Sequence, residues 1–179
     1  MDEHELLKTE LRWGAVVAAA VALIVAVIIV SSVMLSLHPP SNVEIIDPTA
    51  LNVSPEFNES NLGSRESPDG SIIVRIIATQ FAFVPRCLAV AVGRPVTLRV
   101  TSPDVIHGFI IAGTNVNTMV VPGYVSEVHT VFSHAGDHLM PCHEYCGLGH
   151  SEMVSTVHVV PATDWQPDAE GRMSCASSK

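Results

Sequence analysis

The chain is poor in positive charge. Its 179 residues include nine lysines and arginines against eighteen aspartates and glutamates, a formal net charge of −9. Between Pro40 and Pro161 eleven acidic residues stand against five arginines, a balance that argues against nucleic acid as a partner because a polyanionic backbone needs a basic surface. Other things are missing as well. No segment repeats, which removes solenoids and propellers. No glycine-rich phosphate loop and no Ser/His/Asp signature occur, so neither nucleotide hydrolysis nor triad chemistry has its residues. C-x-x-C-H is absent, so the chain has no motif for covalent haem attachment.

One long apolar run is present. Residues 14–37 read GAVVAAAVALIVAVIIVSSVMLSL with no charge, and as a helix at about 1.5 Å per residue they reach about 36 Å, enough to cross a hydrocarbon core of about 30 Å. A cleaved signal peptide would have a basic start, a shorter apolar core and a small-residue cleavage motif. Here the start is the mostly acidic MDEHELLKTELR, and LSLHPP follows the run. An uncleaved anchor in the lipid bilayer is therefore expected. Lys8 and Arg12 precede it and no basic residue follows until Arg65, so residues 1–13 are expected in the cytoplasm and the remainder outside. Trp13 opens the run, where an indole favours the headgroup region.

Residues 38–70 are rich in Pro, Ser, Asn and Glu and read as a linker. From Ser71 the pattern changes to short β-branched or aromatic runs: SIIVRIIATQFAFV, CLAVAV, VTLRV, GFIIAG, TMVV, EVHTVF and STVHVV. Turn signals such as VGRP, VPGY and SHAGD separate them. So many short strands predict an all-β Greek-key sandwich over residues 71–161. Residues 162–179 read as a polar tail.

Residues 141–153, PCHEYCGLGHSEM, place Cys142, Cys146, His150 and Met153 in one short loop. A disulfide would use the two thiols and leave His150 and Met153 without a purpose. Zinc would use Cys and His, but a thioether is a poor zinc ligand. Thiolate, imidazole and thioether together favour copper. A mononuclear blue-copper site needs one Cys and two His, whereas this loop has an extra Cys and lacks one His. His107 in TSPDVIHGF can supply the second imidazole. Two cysteines one turn apart can each bridge two copper ions, with His107 and His150 as terminal ligands and the Met153 sulfur and a backbone carbonyl in the weak positions.

HGFIIAGTNVNTMVVPGY followed by PCHEYCGLGHSEM resembles the binuclear copper (CuA) domain of cytochrome c oxidase subunit II, a cupredoxin-like sandwich. The single span makes it most similar to the short subunit II of B-family haem-copper oxidases. That resemblance implies two copper ions bridged by Cys142 and Cys146, with His107 and Met153 completing one, and His150 and the Glu144 carbonyl completing the other. In many members the acid at the Glu144 position also reaches a magnesium ion shared with subunit I, although B-family relatives often carry an amide there. It implies oxidase subunit I and other oxidase subunits as partners, cytochrome c as donor, and a bacterial-type inner membrane with the copper domain on the periplasmic or external side. Oxygen reduction would belong to subunit I. Phe81 and Phe83 in QFAFVP are the candidates for electron entry, and strand alternation would put both on one face.

His129, His134, His138 and His158 read as surface or strand residues, and His143 as pointing away from the thiols. Cys87 reads as a small buried strand residue. Its spacing gives no support to a bond with Cys175. The charge asymmetry across the span is testable: a reporter fused after Lys179 should be active only outside the cytoplasm, and activity inside would reverse the orientation.

Overall fold

A computed structural model describes residues 2–34, 44–173 and 175. The first unit of the chain is one helix, α1 (Glu3–Met34), 32 residues long. Glu3 and Glu5 lie in its first turn, where negative charge favours the helix dipole. None of its side chains is buried. Its apolar residues surround the axis, so no single stripe can pack on a sheet, and it is long and apolar enough to cross a membrane. Residues 35–37 of the expected span lie outside the described residues.

Among the described residues the second unit has twelve strands: β1 (Glu44–Ile45), β2 (Gly63–Glu66), β3 (Ile72–Thr79), β4 (Ala82–Val84), β5 (Cys87–Ala91), β6 (Pro95–Thr101), β7 (His107–Ile110), β8 (Asn117–Val120), β9 (Tyr124–Val131), β10 (Gly136–Pro141), β11 (Val154–Val160) and β12 (Arg172–Met173). The larger sheet runs β1-β9-β6-β3-β2-β12, with β4 also on β3; a second sheet runs β10-β11-β5, and β7 pairs with β8. β3 lies parallel to β6 and β11 parallel to β5, while the other pairs are antiparallel. This is the expected β-sandwich.

Alternation builds its interior. In β3 Ile72, Val74, Ile76 and Ala78 are fully buried, and the residues between them are half-buried. Val96, Leu98 and Val100 of β6 do the same, as do Leu88 and Val157 from the opposite sheet, and Phe83, Phe109, Phe132 and Met140 fill the space between. Within residues 71–161 the strand that the sequence patterning passes over is β10. Its GDHLMP reads as turn and polar residues because only Met140 among them is buried.

The segment read as a linker is not loose from residue 44 onward. Phe57 and Leu51 are buried with Val125 in a small second core on the outer face of the larger sheet, where Ile46, Leu62 and Ile77 pack against them. Glu56 receives hydrogen bonds from both Arg75 and Arg99, and Arg99 also pairs with Glu44 and Glu127. A Pro/Ser/Asn-rich composition hides two apolar anchors and two acids whose partners lie on distant strands.

Residues 162–173 and 175, read as part of a tail, form a strap. Trp165 is buried, donates its Nε1 hydrogen to Glu66 Oε2 at 2.6 Å, and lies under the Arg94 guanidinium. β12 pairs with β2, and Cys175 is disulfide-bonded to Cys87 with 6.1 Å between their Cα atoms. Cys87 is therefore not a free buried thiol; sequence spacing could not reveal its partner because the bond closes 88 residues of chain. In the chain-entropy account a loop of that size is worth about 4–5 kcal/mol. If the 44–62 segment belongs to the folded unit, Phe57→Ala should lower its stability by about 3–5 kcal/mol, measured by denaturant unfolding of the full chain. A loss below about 1 kcal/mol would return the segment to the status of a tether.

Candidate metal centre

β10 ends at Pro141 and β11 begins at Val154, so the sulfur-bearing loop is the connection of an antiparallel pair. Its base is closed by the Cys142 N–H donating to the Met153 carbonyl at 2.9 Å. β7 meets the same base: Phe109 bridges Cys142, and the His143 N–H donates to the Gly108 carbonyl at 3.0 Å. That contact places His107, 35 positions earlier in the chain, against the loop.

The donors converge. Cys142 Sγ and Cys146 Sγ are 4.0 Å apart, Cys146 Sγ is 3.6 Å from His150 Nδ1 and 3.7 Å from Met153 Sδ, and Cys142 Sγ is 3.3 Å from the Glu144 carbonyl oxygen. His107, Cys142 and Cys146 each bring a ligand atom within 4.8 Å of the others. Cys142, Cys146, Met153 and His107 are buried, and the three sulfur residues belong to the main apolar core. Burial, followed by the neighbouring Cys142, pushes the Cys146 thiol up to about 11. Two charged sulfurs at this spacing need a cation to offset both burial and mutual repulsion.

His107 carries the sharpest signal. It is fully buried, its Nε2 lies 2.9 Å from Asp104 Oδ1, and its Nδ1 has no hydrogen-bond partner. A carboxylate on one ring nitrogen fixes the tautomer and leaves the other nitrogen as a ligand, the arrangement seen around metal-bound histidines. Asp104 is itself held: burial opposes its ionisation, but hydrogen bonds from His107, the Gln80 N–H, the Thr79 hydroxyl and the Val105 N–H outweigh this and keep its carboxyl well below the usual carboxylate range. The donor set, two thiols, two imidazoles, a thioether and a carbonyl, fits copper.

The two aromatic candidates separate. Phe83 lies in β4 and is fully buried, edge-on to Phe109 with ring centroids 6.1 Å apart. Phe81 precedes the strand, in the turn between β3 and β4, so strand alternation does not apply to it. Its ring lies on the ligand loop: a Cβ at Gly149 would come within 2.6 Å of it, and one at Gly147 within 2.8 Å. Both glycines of CGLGH are thus required by close approach. Next to Phe81, the Gln80 side chain donates to the Cys146 carbonyl at 2.6 Å. Gln80 and Asp104 are the supporting residues that sequence reasoning missed. Asp104 stood three positions before His107 in TSPDVIHGF; Gln80 gave no signal. The His143 ring fills the space beside Gly108.

Residues 74–160 match the family described as cytochrome c oxidase subunit II, periplasmic domain. A cytochrome c oxidase subunit 2 of Thermus thermophilus is 32% identical over 168 residues, covering 89% of this chain and 98% of the relative. The chain belongs to the cytochrome c oxidase subunit II family. A second Thermus thermophilus cytochrome c oxidase subunit 2 is 35% identical over 121 residues, covering 68% of this chain and 90% of the relative. A chain from a haem-copper terminal oxidase dimer, solved by cryo-EM, superposes with a TM-score of 0.54 at 25% identity, covering 82% of this chain and 99% of that one. This is subunit II of a haem-copper oxidase, with a cupredoxin-like sandwich and an apolar helix that fits membrane anchoring.

Within a subunit II the roles of the donors can be separated by substitution. If the loop holds two coppers shared by the thiols, Cys146→Ser should abolish electron-spin hyperfine splitting from both, whereas Met153→Leu, the loss of a thioether that would be only a weak ligand, should keep it and shift the potential. Asp104→Ala should weaken copper retention by about 10- to 100-fold, measured by chelator competition. Retention equal to wild type would remove Asp104 from the support of His107.

Proposed function

We propose that this subunit II accepts electrons from cytochrome c at a binuclear copper centre held by His107, Cys142, Glu144, Cys146, His150 and Met153, and passes them to a haem-bearing subunit I, where oxygen is reduced. The observation that carries this reading is the unpartnered Nδ1 of buried His107 beside two thiols 4.0 Å apart. Bound there, two copper ions would supply reversible one-electron exchange with the unpaired electron shared across both metals.

The chain's own residues keep that exchange free of rearrangement. Cys142 and Cys146 would hold the copper from a loop whose ends are tied by the Cys142–Met153 backbone bond. Asp104 holds the His107 ring, Gln80 holds the Cys146 carbonyl, and Phe81 presses on Gly147 and Gly149. A site fixed from so many sides has little freedom to relax between oxidation states. Burial of three sulfur residues keeps water from them.

At the loop surface Leu148 is 97% exposed and Tyr145 70% exposed, and Phe81 lies half-exposed beside them. These apolar groups around His150 suit a transient donor contact, because a short-lived electron-transfer encounter needs a small surface. Phe81, touching both the surface and the loop, is the better of the two aromatic candidates for electron entry. The acidic excess of the external residues would steer a basic cytochrome towards them. The Cys87–Cys175 bond supports a location outside the cytoplasm, since disulfides persist in oxidising compartments.

The assembled oxidase carrying Cys142→Ser tests the reading. Oxidation of reduced cytochrome c should collapse, while artificial reductants that reach the haems directly still support oxygen consumption. Unchanged cytochrome turnover would mean that electrons enter elsewhere. In the wild-type oxidase, raising the salt should slow cytochrome oxidation as the Debye length shortens to about 8 Å; a rate indifferent to salt would leave the apolar contact to act without steering.

A further inference from the structure

A second group of ligand-type side chains lies away from the copper loop. Leu88, Val157 and Val159 face the core, so the residues alternating with them point to the outer face of the three-stranded sheet. Cys87 on β5 and His158 on β11 are among these. The two strands are parallel, with Thr156 opposite Cys87 and His158 opposite Ala89, which makes Cys87 and His158 diagonal neighbours. Cys175 arrives from the strap just beyond β12. One ligand atom from each of Cys87, His158 and Cys175 lies within 4.8 Å of the other two. The His158 ring is further oriented by its cross-strand partner on β10, with Nδ1 2.6 Å from Asp137 Oδ1.

We propose that the Cys87–Cys175 disulfide is one of two states of this cluster, and that in the other state the reduced thiols and His158 bind a single Zn²⁺ ion. Two thiolates and an imidazole are a zinc donor set, and a carboxylate beside the histidine is the usual outer support for one. The two states exclude each other because they use the same sulfur atoms. Reduction by a dithiol moves two electrons into the S–S bond and leaves two thiols, while the reductant becomes its own disulfide. Zn²⁺ then displaces both thiol protons and forms two Zn–S bonds, with the fourth position open to solvent. Cys87 and His158 stand on paired strands of the sandwich, whereas Cys175 follows a two-residue strand, so opening the S–S bond to admit an ion displaces little of the sheet. In both states the strap stays tied to β5.

The full chain in detergent, carrying Cys142→Ser and Cys146→Ser so that the copper loop cannot compete, allows a direct test. A phosphine reduces the disulfide, taking one oxygen atom from water as it becomes the phosphine oxide, and is removed under argon before metal is added. The reduced chain should bind one Zn²⁺ after gel filtration, and Co²⁺ in its place should give a thiolate-to-cobalt charge-transfer band. The oxidised chain should bind none. His158→Ala should lower the zinc affinity by more than about tenfold, and Cys87→Ser should abolish the cobalt band. Melting followed by circular dichroism guards against misfolding, because Zn²⁺ should raise the melting temperature of the reduced chain and leave that of the oxidised chain unchanged. Equal zinc binding by oxidised and reduced chains, or full affinity in a folded His158→Ala chain, would overturn the proposal, as would a reduced chain that binds no zinc.

Discussion

Two thiols 4.0 Å apart at the end of an apolar core cannot both give up their protons unless a cation is there to share the charge. Much else in the domain follows from that constraint. The sulfurs are buried, so the loop that bears them must be held from outside by polar contacts, and each contact comes from a different part of the chain. Asp104 precedes β7, Gln80 follows β3, and the Met153 carbonyl closes the loop at the head of β11. The sandwich is the means by which these segments reach one end of the molecule.

Apolar and ionic forces divide the remaining work. The interior between the sheets is built by period-two alternation and extends without a break into the three sulfur residues of the loop, so core packing and donor placement are one problem. The outer face of the larger sheet is different. There Arg75 and Arg99 gather Glu44, Glu56 and Glu127, and burial of Phe57 and Leu51 beside that network supplies the stability that such half-exposed ion pairs seldom provide alone. Residues 44–62 are in this way part of the domain, and the strap at the other end is held by Trp165, β12 and a disulfide.

The four cysteines follow two kinds of sulfur chemistry. Cys87 and Cys175 are covalently joined on the sheet's outer face, while Cys142 and Cys146 stay as thiols in the interior. The inner pair is framed by imidazole and thioether donors, and the outer pair by a single histidine with a carboxylate behind it. On the oxidising side of a membrane, a metal held by the inner pair would protect it from disulfide formation.

Features that lie close along the chain were legible before any folding was considered. Cys142, Cys146, His150 and Met153 fall within one loop, and that spacing alone brings their donor atoms near one another and makes copper the fitting ion; the Glu144 carbonyl was implied by the family resemblance. An uncharged run of 24 residues likewise declares a helix long and apolar enough to cross a membrane, and alternation in β3 and β6 declares buried strands. Folding settled the rest, because strand order is not written in local pattern. It brought His107 to the loop through the bridge between Phe109 and Cys142, and it sent Phe81 to the loop surface and Phe83 to the core across a turn that periodicity read as continuous strand. It also joined Cys87 to Cys175, and turned two polar stretches into packed segments. Each of those outcomes depends on partners tens of residues apart meeting across a sheet, and only the folded chain brings them together.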